Sequence, residues 1–133
     1  MHACAHAGAQ SLVYGGLGWG DAECEQIIAV LRSVPCASLK RLVLDENHLG
    51  DASARSLANL LSGKSFAQLQ HLGLYGNNIT DVGMKALRTA LCKRRKCTPQ
   101  LQSVALRNNK ASPGVVAAFH QALIRRGASA DVL

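Results

Sequence analysis

The sequence predicts an α/β fold built as a solenoid, with about four strand-turn-helix units stacked into one domain. Three observations predict it: a leucine and asparagine pattern that returns at near-constant spacing, a helix-start signal after each return, and apolar helix positions that line up in columns. With the leucines aligned the chain reads Leu39-x-x-Leu42-x-Leu44-x-x-Asn47-x-Leu49, then Leu69-x-x-Leu72-x-Leu74-x-x-Asn77-x-Ile79, then Leu101-x-x-Val104-x-Leu106-x-x-Asn109-x-Ala111, at offsets of 30 and 32 residues. A step of 30 backwards reaches Ala9-x-x-Leu12-x-Tyr14-x-x-Leu17-x-Trp19, which keeps the apolar positions and loses the asparagine. A period in this range marks a repeat architecture and takes precedence over any local reading.

Each element follows from its own residues. Leu39, Leu42 and Leu44 point inward from a short extended segment, and the side chains between them face out because strand side chains alternate. Asn47, Asn77 and Asn109 stand where the chain turns off the sheet, so their amides can pair backbone groups that the bend would leave buried. Helix starts follow at Gly20-Asp21, Gly50-Asp51, Thr80-Asp81 and Ser112-Pro113. Thr80 and Ser112 are expected as N-caps, the aspartates sit at the positive end of the helix dipole, and Pro113 suits the first helical position. The helices are expected to bury three columns: Ile27, Leu57, Leu87 and Phe119; Leu31, Leu61, Leu91 and Leu123; Cys24, Ala54, Met84 and Val116. Gly63 and Gly127 stand where a C-terminal glycine belongs. A unit alone cannot cover its apolar face, so stability comes from stacking.

These units resemble the leucine-rich repeat, and their length with a full helix resembles the ribonuclease-inhibitor-like type. The departures are Leu17 for asparagine, Val104 and Ala111 for leucines, and the 32-residue unit. The resemblance implies a short right-handed solenoid with a parallel sheet on the concave face and helices on the convex face. It divides the single domain 1–133 into units at about 9–38, 39–68, 69–100 and 101–127, with a lead-in at 1–8 and a tail at 128–133. Related repeats bind ribonucleases, regulate a Ran-type GTPase or serve as sensors in immune receptors. The implied role is a protein-interaction module, and GTPase regulation is the remote alternative.

Composition narrows the classes. A chain of 133 residues can bury a self-sufficient core, and with 4% aromatics that core must be Leu, Val, Ile and Ala. No apolar run reaches the roughly 18 residues of a membrane span. MHACAHAGAQ has neither the basic start nor the apolar stretch of a signal peptide. Five cysteines, Cys4, Cys24, Cys36, Cys92 and Cys97, fit reduced thiols better than a disulfide framework. The expectation is a soluble cytoplasmic chain, with the nucleus as the other compartment, and the glycosylation pattern at Asn78-Ile79-Thr80 is discounted. His2-x-Cys4-x-His6 lacks the fourth ligand and the spacing of a zinc site. Gly15-Gly16-Leu17-Gly18 lacks the lysine of a phosphate loop. His48, His71 and His120 are scattered, and repeat geometry is expected to force no Ser, Cys or carboxylate beside them. The reading is therefore no enzyme, no cofactor and no metal.

Function then falls to outward strand positions. Reading down the layers gives Ser11, Arg41, His71 and Ser103; Val13, Val43, Gly73 and Ala105; Gly15, Asp45, Tyr75 and Arg107; and Gly16, Glu46, Gly76 and Asn108. A partner protein is expected on Arg41, Val43, Asp45, Glu46, His71, Tyr75 and Arg107. Tyr75 and Arg107 lead because Tyr and Arg dominate interface hot spots.

Charge supplies the rival. Residues 1–51 carry three basic and six acidic side chains, and residues 52–133 carry twelve basic and two acidic, for the net +7. Lys64, Lys93, Arg94, Arg95, Lys96, Arg125 and Arg126 should share one edge of the stack. That edge suits nucleic acid, an acidic partner or an import receptor, although cations also simply complement helix C-termini. Few aromatics argue against a platform for stacking single-stranded bases. No membrane partner is expected, and the molecule reads as a monomer or an end-to-end dimer.

Overall fold

The computed structural model describes residues 10–33 and 38–130. The lead-in with His2, Cys4 and His6, the unit start at Ala9, Cys36, and residues 131–133 of the tail lie outside the described residues. The elements run β1 (Ser11–Val13), α1 (Asp21–Ser33), β2 (Arg41–Val43), α2 (Asp51–Leu61), β3 (His71–Gly73), α3 (Asp81–Arg88), β4 (Ser103–Ala105), α4 (Pro113–Arg125) and β5 (Ser129–Ala130). The strands form one parallel sheet in the order β1-β2-β3-β4-β5. Four helices cross over between successive strands, which makes the molecule a short α/β solenoid. Residues 129–130, in the stretch read as a tail, pair with Ser103 and Val104 as the fifth strand.

The register aligns Ser11, Arg41, His71 and Ser103, and then Leu12, Leu42, Leu72 and Val104. Those leucines and the valine are buried against the helices, which bury the columns Ile27, Leu57, Leu87, Phe119 and Leu31, Leu61, Leu91, Leu123 in turn. Cys24, Ala54 and Met84 are buried too, whereas Val116 is only half-buried, since no further helix packs on α4 among the described residues. Phe66, in the loop after α2, and Thr98, its counterpart at an offset of 32, are also fully buried. The period did not mark either one.

The 32-residue unit carries its two extra residues between Leu91 and Leu101. There α3 continues into a π-helical turn, Thr89–Lys93, and a 3₁₀ turn, Arg95–Cys97. Such turns break the regular ladder and leave carbonyls to be satisfied from elsewhere.

Two side-chain ladders tie the layers together. Asn47 Nδ2 donates to Tyr14 O at 2.8 Å and Leu44 O at 3.1 Å, while its Oδ1 accepts from the backbone N–H groups of Leu17 and Trp19. Asn77 and Asn109 repeat this, donating to Leu44 O at 3.0 Å and Leu74 O at 2.8 Å and accepting from Leu49 N and Ile79 N. Every asparagine thus binds the layer before its own. Leu17 stands at this place in the first described layer, carries no amide to reach back with, and is 52% exposed.

The second ladder corrects the expected N-caps. Neither Thr80 nor Ser112 makes a side-chain cap to its own helix. The aspartate opening the preceding helix does the work instead: Asp21 accepts from Gly50 N and Ser53 N, Asp51 from Thr80 N and Gly83 N, and Asp81 from Ser112 N. The hydroxyls of Ser53, Thr80 and Ser112 donate to those same carboxylates. Helix α1 has no described layer before it, and its own Glu23 accepts from Gly20 N at 2.7 Å, half of a capping box. Close packing comes with the ladder. A methyl on Gly83 would lie 2.6 Å from Asp51 Oδ1 and from Ile79 Cγ2, so the glycine admits the carboxylate.

Candidate functional site

The strand face carries the side chains first expected there, and the structure arranges them unevenly. Arg41, Glu46 and Arg107 are exposed, and Asp45, His71 and Tyr75 are half-buried. Val43 is only 8% exposed, against 61% for Val13 in the same column. Gly73 accounts for this. A methyl there would meet Asp45 Oδ1 at 2.6 Å and Val43 Cγ1 at 3.1 Å, so the missing side chain lets both neighbours fold over the backbone of β3.

Asp45 crosses Gly73 to accept from Tyr75 N at 2.9 Å, and Asn108 donates to the Tyr75 hydroxyl at 2.7 Å. Tyr75 is therefore anchored at its backbone by the layer before it and at its hydroxyl by the layer after it. Burial raises the Asp45 carboxyl above its usual value, against the pull of the Tyr75 N–H and of His71. Burial and then Arg41 push the His71 imidazole below its ordinary 6.5, with Asp45 opposing them. His71 is thus largely neutral at pH 7, and its Nδ1 shares a hydrogen bond with Ser103 Oγ at 2.7 Å.

That contact corrects an expectation. The parallel register does set a serine beside His71, and Asp45 is near enough to act on it electrostatically. The missed signal was the first column itself, in which His71 and Ser103 are one layer apart at the same strand position. Asp45 Oδ1 is occupied by the Tyr75 N–H, and the cluster orders polar side chains across β2, β3 and β4.

The fourth column carries a second missed feature. Gly16, Glu46, Gly76 and Asn108 have φ of +69°, +57°, +72° and +59°, the left-handed turn that ends each strand segment. Glycine and asparagine accept this conformation readily, and glutamate does not.

The basic residues do not form one uniform edge. Lys64, Lys93, Arg94, Arg95, Lys96 and Arg125 are exposed. Lys93, Arg95, Arg125 and Arg126 meet Arg88, which the sequence reading did not single out, around one cleft. Arg94 turns instead to a groove of about 370 Å³ beside Ala58, Asn59 and Ser62 of the preceding layer. Arg126 is half-buried, and its guanidinium donates to Leu91 O, Thr98 O and Thr98 Oγ1, the acceptors that the irregular turns leave over.

Among the described residues the thiols are free. Burial pushes Cys24 up to about 11, which leaves it inert. Burial also raises Cys92, against Arg126 and Arg88, and Cys97 Sγ donates to Ser62 O at 3.1 Å. No metal-binding group of His, Cys, Asp or Glu occurs among the described residues. None of the described helices is long and apolar enough to cross a membrane.

Comparison with known proteins agrees with this geometry. The family profile described as Leucine Rich repeat matches residues 36–58 and 68–87, the second and third turns of the pattern. Among solved structures, one titled "Leiomodin-1 Actin-Binding Site 2 (ABS2)" superposes with a TM-score of 0.73 at 15% identity, over 92% of this chain and 68% of that one. No curated protein sequence matches. The asparagine ladder, the parallel register and the matching profile agree: the chain carries leucine-rich repeats over residues 36–58 and 68–87 and has the fold of a short leucine-rich-repeat solenoid.

Proposed function

We propose that the chain is a protein-interaction module of the ribonuclease-inhibitor-like type, binding a partner protein on the strand face through Arg41, Val43, Asp45, Glu46, His71, Tyr75 and Arg107. The observation that carries this reading is the fixed position of Tyr75, held from two layers by Asp45 and Asn108. An aromatic ring already immobilised before binding loses little entropy when a partner closes on it, and charged neighbours around it favour one register of approach. The solved relative, whose printed title names an actin-binding site, supports a protein as the partner class in general. Catalysis forms no part of this reading, and we place the protein in the cytoplasm.

A pull-down from cell extract with Tyr75→Ala, Arg107→Ala and a Lys93-to-Lys96 neutralised variant tests it. Truncation of Tyr75 should weaken capture by about 2 kcal/mol or more, the usual size of a hot spot. Loss confined to the neutralised variant would transfer the function to the basic edge. That second reading is favoured by the twelve basic against two acidic residues in 52–133. It predicts binding to duplex nucleic acid that falls steeply with salt.

A further inference from the structure

Five of the seven residues that line the cleft between the ends of α3 and α4 are cations, and Ala122 and Cys92 are the other two. Arg88 comes from the last turn of α3, Lys93 from the π-helical turn, Arg95 from the 3₁₀ turn, and Arg125 and Arg126 from the end of α4, with the Cys92 thiol among them. Like charges in one small space repel. The surrounding sequence offers no relief, since the ten Lys and Arg residues between Asp81 and Asp131 are accompanied by no carboxylate. Helix C-termini favour nearby cations, yet Leu91 O is already bonded to Arg126 and the last carbonyls of α4 to the backbone N–H groups of Arg126, Gly127 and Ala128. One wall of the cleft is therefore fixed by hydrogen bonds, and Lys93, Arg95 and Arg125 stand exposed around it.

The missing partner has a definable chemistry. A cleft of about 210 Å³ is smaller than the roughly 300 Å³ at which pockets take whole small molecules, so it suits a charged group and not an entire nucleotide. No aromatic lines it, so bases have nothing to stack on. A nucleic-acid phosphodiester brings a single charge, whereas a phosphomonoester carries about −1.5 to −2 and three strong acceptor oxygens. Arginine forks pair with such oxygens two at a time.

We infer that this cleft binds a phosphomonoester dianion, with Lys93, Arg95 and Arg125 as its direct donors and Arg126 as the pre-set wall. Free phosphate and a phosphorylated side chain of a partner protein present the same chemistry. The site lies at the helix ends and does not depend on the strand-face reading.

Cys92 supplies a reporter inside the cleft. Alkylation of the full chain is followed at Cys92 by peptide mapping, at constant ionic strength, with inorganic phosphate, a phosphoserine peptide, its unphosphorylated counterpart, or a DNA duplex with hydroxyl ends. Phosphate and the phosphopeptide should slow Cys92 modification, by about tenfold at a tenfold excess over Kd. The exposed-charge variants Lys93→Gln and Arg125→Gln should abolish protection, and Lys110→Gln, outside the cleft, should leave it intact. Protection by the phosphopeptide at lower concentration than by phosphate identifies a modified partner as the source, and equal protection identifies the free anion. Three results would overturn the inference: no protection by either phosphate form, protection by the unphosphorylated peptide or the duplex at equal or lower concentration, or protection unchanged in both variants.

Discussion

Glu46 occupies a backbone position that its neighbours above and below fill with glycine. Its φ of +57° places it in the left-handed region, where an ordinary side chain costs about 1 to 2 kcal/mol. Glycine would relieve that strain but gain freedom in the unfolded chain, worth about 0.5 to 1 kcal/mol the other way. The difference favours the substitution. Glu46→Gly should raise the urea midpoint by an amount equivalent to about 0.5 to 1 kcal/mol, while weakening capture of the strand-face partner if Glu46 contributes to it. A lower midpoint would mean that the carboxylate makes contacts that offset the strain. Strained residues of this kind cluster where function demands a particular side chain, which adds a second reason for Glu46, first chosen only as an outward strand position.

At the level of elements, the helix starts depend on the layer before them. Burial opposes ionisation of Asp51, but the Thr80 hydroxyl, the N–H groups of Thr80 and Gly83, and Arg55 outweigh it and hold the carboxyl below 3.8. A carboxyl depressed in the folded state stabilises above its unfolded value, and the contribution disappears as pH falls through the folded value. Asp51→Ala should therefore cost about 1 kcal/mol at pH 7, the ordinary worth of a helix cap, and the gap to wild type should close in thermal melts below about pH 4. A gap that persists in acid would assign the loss to packing. Sequence reading found these helices and their buried columns because the 30-residue offset repeats them, as with Leu31, Leu61 and Leu91. It missed that the aspartates reach into the next layer. Asp51 satisfies the dipole rule and the ladder equally well, and only the register separates the two. The inward turn of Arg126 was hidden for a related reason: its partners are carbonyls freed by a π-helical turn that no residue type announces.

In the whole molecule, each layer touches only its neighbours, so stability resides in the interfaces between layers. Leu72 sits at the centre of the sheet, fully buried between Leu42 and Val104. Leu72→Ala should cost about 2 to 5 kcal/mol in chemical denaturation, a large share of the roughly 5 to 15 kcal/mol of an ordinary domain. The same truncation at Leu12 should cost less, because among the described residues that site borders one layer and can collapse. Equal losses would argue against layer-by-layer energetics.

The two ladders also give the stack a direction. A middle unit carries an amide that reaches back, such as Asn47, and a carboxylate that reaches forward, such as Asp51. It could be duplicated within the chain and still join on both sides. The outer units could not trade places, because Leu17 stands where the amide would be and Pro113 where the carboxylate would be. Two copies set head to tail would meet at a seam with neither bond, so lengthening this protein by inserting central units should succeed where fusing whole copies fails.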